Sequence, residues 1–62
     1  MMWFDLLLKY WSRLSVEAQE KVREYYHLGV MAQQLGGQFL PERVRQLENE
    51  LQVEARKLGW KE

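Results

Sequence analysis

Cysteine is absent from this chain of 62 residues, so neither a disulfide staple nor a thiolate metal site is available. Histidine occurs once, at His27, and aspartate once, at Asp5. Hydrolytic chemistry therefore has few parts to use, and no nucleophile elbow or glycine-rich phosphate loop is written in the chain. The expectation is a non-enzyme that needs no cofactor. A charge excess is also missing: nine lysines and arginines balance nine acidic residues. Phosphate neutralisation drives nucleic-acid affinity, so this balance argues against a nucleic-acid partner. No apolar run approaches the roughly 20 residues that cross a bilayer. The N-terminus lacks a basic region and a small-residue cleavage site, so it does not read as a secretory signal, and a cytoplasmic protein is expected.

What is present is helical patterning, and it divides the chain into three segments of one domain, residues 1–62. The first is Met2 to Leu14, "MWFDLLLKYWSRL". Asp5, Lys9, Ser12 and Arg13 share one narrow face of a helix there, and apolar or aromatic residues take the rest. That arc is about 200° wide, twice the roughly 100° of an ordinary surface helix.

The second segment begins at Ser15, an N-cap residue type, with Glu17 placed to favour the helix dipole. Ala18 holds the position where a capping box would have Glu or Gln. Ala18, Val22, Tyr25, Leu28, Ala32 and Leu35 recur at spacings of three and four, which makes one stripe. Gly36-Gly37 reads as a stop, and Gly29 either breaks the helix or admits a close neighbour.

The third segment opens at Pro41, the chain's only proline and a favoured first helical residue. Leu40, Val44, Leu47, Leu51, Ala55 and Leu58 form its stripe. Gly59 fits a left-handed cap, with Trp60 folding back onto Ala55 in a Schellman-type contact. The second and third helices are near-equal in length and the link between them is short, which favours an antiparallel pairing. The expected fold is all-α: three helices, an antiparallel helical hairpin plus an N-terminal aromatic amphipathic helix.

A hairpin offers the first helix one groove, and its apolar arc is wider than one groove can cover. A second copy of the chain, a partner protein or a membrane surface could take the remainder. Self-association is favoured, because small domains without disulfides often gain support from oligomerisation. Partner capture follows, since aromatic anchors dominate binding hot spots. Membrane-surface helices are usually rich in lysine or arginine, and only Lys9 and Arg13 occur here. The candidate interface residues, in a homodimer or with a partner, are Trp3, Phe4, Leu7, Tyr10, Trp11 and Leu14.

Two other patterns carry chemistry. Glu24 and His27 form a Glu-x-x-His pair, and Glu20 lies one turn before them. In ferritin-like bundles that spacing supplies metal ligands. It lies away from the apolar stripe, so a solvated acidic flank explains it without a metal. The run Arg43-Val44-Arg45-Gln46-Leu47-Glu48 resembles the recognition helix of bacterial sigma-factor region 4, and "MAQQLGG" before it is similar to the first helix of that helix–turn–helix. The resemblance implies major-groove DNA binding, with Arg43, Arg45 and Gln46 as the contacting residues. The leading expectation is a small helical protein–protein interaction module or regulator, with a compact helix–turn–helix DNA-binding regulator as its rival and a metal-binding helical oligomer as a third class.

Overall fold

A computed structural model of the chain describes residues 2–34 and 41–61, leaving out the side chains of 32–34 and 41. Within those residues there are three α-helices and one 3-10 turn, and no strand. Helix α1 spans Met2–Lys9, the 3-10 turn Trp11–Arg13, α2 Val16–Gln34 and α3 Pro41–Lys57. The protein is all-α, as its patterning predicts. No helix among the described residues is long and apolar enough to cross a membrane.

Helix α3 lies at the centre, because α1 and α2 both pack mainly on it. Three residues of its stripe, Leu47, Leu51 and Ala55, have no exposed surface. Leu51 and Ala55 join Trp3 and Leu7 from α1, Leu14 from the turn region, and Ala18 and Val22 from α2 in one cluster. Phe4, Trp11, Tyr25, Leu58 and Trp60 pack around it with part of each ring or side chain left in water. Trp3, Phe4 and Tyr25 meet edge to face or tilted, with centroids 5.5–5.8 Å apart. These are the preferred aromatic geometries.

Local chemistry sets the helix ends. The Ser15 hydroxyl accepts from the Ala18 N–H at 3.1 Å, and the Ser15 carbonyl accepts from Gln19 N–H at 2.9 Å. That is the N-cap its residue type promises, worth about 1 kcal/mol. At the other end, Gly59 takes φ +108°, Gly59 N–H donates to the Arg56 carbonyl at 3.0 Å, and Trp60 N–H donates to the Ala55 carbonyl at 3.0 Å. Both bonds of a Schellman motif are therefore made. The Arg56 guanidinium lies over the Trp60 ring at 5.4 Å.

One boundary differs from expectation. The pattern extends the first helix from Met2 to Leu14, but α1 stops at Lys9. Tyr10 leaves the helical region at φ −105°, ψ 33°, and Leu14 is extended at ψ 145°. The Trp11 carbonyl accepts both the Leu14 N–H at 3.1 Å and the Gln19 side-chain amide at 2.9 Å. The break matters because a straight helix presents its apolar arc in every direction. Cutting it lets Trp3 and Leu7 approach the cluster from one side and Leu14 from another. Gly29 remains inside α2, and a Cβ built on it meets nothing within 4 Å, so it neither breaks the helix nor admits a neighbour.

Polar contacts join α2 to α3: Lys21 pairs with Glu50 at 2.7 Å, and Glu24 pairs with Arg43 at 2.8 Å. The expected stop at Gly36-Gly37, the short link, and the stripe residues Leu35 and Leu40 lie outside the described residues.

Candidate protein-binding furrow

Because α1 and α2 both lean on α3, a furrow of about 590 Å³ opens between them. Phe4 and Leu8, one turn apart on α1, form one wall together with Trp11. Val22, Tyr26 and Val30, each one turn from the next on α2, form the other. Leu8 is 51% exposed, Tyr26 65% and Val30 36%. Arg23 and His27 supply the only charged or titratable edge other than the phenol of Tyr26. The Arg23 guanidinium sits 5.4 Å from the Trp11 ring, a cation–π distance.

The six residues expected at an interface divide between interior and surface. Trp3, Leu7 and Leu14 are 5%, 0% and 9% exposed and lie in the chain's own core, so little of them is left for a partner. Phe4 and Trp11 pack against the core and also line the furrow. Tyr10 is half-buried, with Lys9 and Arg13 over its ring at 5.5 and 4.8 Å. Sequence reasoning missed Leu8, Arg23, Tyr26 and Val30 as surface candidates. A signal for three of the furrow positions was available: Val22, Tyr26 and Val30 repeat every four residues beside the Ala18–Val22–Tyr25 stripe.

The DNA candidates are separated by their partners. Arg43 places its guanidinium fork on Glu24, with Nε to Oε2 and Nη2 to Oε1 both at 2.8 Å, and gives Nη1 to Gln46 Oε1 at 3.1 Å. The Arg43 hydrogen bond holds the Glu24 carboxyl below its ordinary value and, reciprocally, raises the guanidinium's. Arg45 and Gln46 are exposed and line a shallow polar depression with Glu42 and Asn49.

The metal candidates do not converge. Glu24 is engaged by Arg43, Glu20 is exposed, and His27 lies on the furrow. Among the described residues no three acidic or histidine side chains group closely enough to hold an ion.

The α2–α3 seam has its own electrostatics. The Lys21–Glu50 hydrogen bond raises the ammonium's pKa and lowers the carboxyl's. Tyr25 Oη donates to Glu48 Oε1 at 2.8 Å. Burial first, and this hydrogen bond second, push the phenol up to about 12.

No family model, curated protein or solved structure matches this chain.

Proposed function

We propose that this chain is a small helical interaction module, acting by binding rather than catalysis, and that the furrow between α1 and α2 is its working surface. The observation that carries this reading is the run of exposed apolar side chains along one open groove: Leu8, Tyr26 and Val30 together, not scattered singly. Contiguous apolar surface of this kind marks interaction sites, whereas isolated exposed apolar residues are ordinary. The furrow's shape suits an amphipathic helix, supplied by a second copy of the chain or by another protein.

Site-specific photocrosslinking in the protein's own cells tests this. A photoreactive phenylalanine at position 26 should form one dominant protein adduct, and the same group at exposed position 53 should not. An adduct of twice the chain mass identifies a second copy, and any other mass identifies a foreign partner. The reading fails if position 26 forms no adduct beyond the level of position 53.

The rival reading, DNA binding through α3, has the exposure of Arg45 and Gln46 in its favour and the engagement of Arg43 by Glu24 against it. A gel shift with random duplex at ~50 mM salt decides it, since low salt strengthens even non-specific contact. Absence of any shift removes it.

A further inference from the structure

We infer that the furrow takes an amphipathic helix of another protein whose apolar stripe is flanked by carboxylates. This rests on the furrow being the working surface and goes on to name its occupant. The first argument is charge. Apart from the neutral Tyr26 phenol, Arg23 and His27 are the polar side chains of the lining, and no carboxylate is among its residues. The acidic neighbours Glu20, one turn before Arg23 on α2, and Asp5 on α1 stand outside the lining. Cations on the α2–α3 seam already have carboxylate partners: Lys21 has Glu50, and Arg43 has Glu24. Arg23 has the Trp11 ring beneath it and no ion pair among the described residues. The cation–π contact holds the guanidinium beside the furrow, and its fork of N–H donors suits a carboxylate acceptor.

The second argument is length. From Val22 to Val30 the α2 wall runs about 12 Å at 1.5 Å per residue, a little over two helical turns. A partner helix would place apolar anchors at i, i+3 or i+4, and i+7 along it.

The third argument excludes a second copy. In a twofold dimer the same patch meets itself. Furrow against furrow sets the Arg23 guanidinium of one copy near that of the other, with no carboxylate among the described lining residues to separate them. The alternative is another surface of the chain seated in the furrow. Among the described residues, the large exposed apolar side chains outside the furrow are Met2, Val16 and Val53, on three different helices, and they form no stripe.

The test is a display selection on the full chain. The library holds helical 18-residue peptides with a fixed leucine stripe and flanking positions varied among Glu, Gln and Lys. Peptides with Glu flanks should be enriched on the order of three- to tenfold over Lys flanks, the ratio that one or two exposed ion pairs produce. Arg23→Glu should reverse the preference, and Tyr26→Asp should select nothing. Circular dichroism of both variants checks that they remain folded. Enrichment without a charge preference, or a preference that Arg23→Glu leaves unchanged, overturns the acidic occupant while the furrow stands as a binding surface. A dimer in sedimentation equilibrium that Tyr26→Asp converts to the 7.6 kDa monomer gives the furrow to a second copy and overturns the inference in the same way. A monomer that enriches no peptide removes both the occupant and the function proposed above.

Discussion

The phenol of Tyr25 donates to Glu48 Oε1 at 2.8 Å, so a hydrogen bond to a carboxylate ties α2 to α3 beside the aromatic cluster. The bond lies where Trp3 and Phe4 of α1 also touch the Tyr25 ring, so one side chain connects all three helices. Removing the hydroxyl in Tyr25→Phe keeps the ring packing and should cost about 1 kcal/mol in urea unfolding. The phenol's pKa stands at about 12, above the ordinary value of 10.0. A raised folded-state pKa means the proton is held more tightly in the native state. This contribution to stability is complete below pH 10 and is lost as pH rises toward 12. Lys21, also raised by its bond to Glu50, loses stability in an overlapping range. The difference between wild type and Tyr25→Phe isolates the tyrosine. That difference should shrink as pH rises from about 10 toward about 12, and a gap that stays constant would show that Tyr25 is not the linked group.

Leu7 and Leu8 are chemically identical neighbours with opposite fates. Leu7 has no exposed surface, whereas Leu8 is half in water. Leu7→Asp buries an unpaired charge in the core of a marginally stable domain and should abolish the cooperative melt altogether. Leu8→Asp should leave unfolding free energy within about 0.5 kcal/mol of wild type. The variant should nonetheless lose whatever binds in the furrow. Paired thermal melts by circular dichroism check both halves, and equal destabilisation of the two would contradict the placement of α1.

Gly29 is in the interior of α2 with open space where a Cβ would stand. Glycine there carries the backbone entropy cost of a helix without any packing reason for it. Gly29→Ala should therefore stabilise by roughly 0.5–1 kcal/mol. For a domain this small that corresponds to a rise of about 2–8 °C in melting temperature. A decrease would mean that the position has a close neighbour after all.

Some of the architecture was legible residue by residue. The Ser15 cap, the Gly59–Trp60 stop and the Pro41 start are local: each involves a few consecutive residues whose side chains or φ angles decide the matter among themselves. The α3 stripe was legible because Leu47, Leu51 and Ala55 repeat at four residues and point one way. The end of α1 was not. The apolar pattern continues without interruption from Lys9 past Tyr10 and Trp11 to Leu14, and no glycine or proline interrupts it. What accompanies the stop is the placing of Leu14 in the same core as Leu7, with the Trp11 carbonyl closing the 3-10 turn on the Leu14 N–H. The candidate site divided in the same way. Aromatic composition pointed to the N-terminal segment, but it did not distinguish Trp3, which is buried, from Trp11, which borders the furrow. The resemblance that makes Arg43 a candidate DNA contact lies within its own run, which does not show Glu24, nineteen residues away, as the partner of its guanidinium.

By itself, then, the sequence determined an all-α chain: helical periodicity, caps and the lack of strand-forming alternation are properties of neighbouring residues, and short-range sterics and hydrogen bonding act on them directly. Only the tertiary structure decided which half of a wide apolar surface faces inward. That choice depends on α1 and α2 both packing on α3, because burial is won by whichever side chains can reach a common core at once. Leu7 reaches it and Leu8, one residue on, cannot.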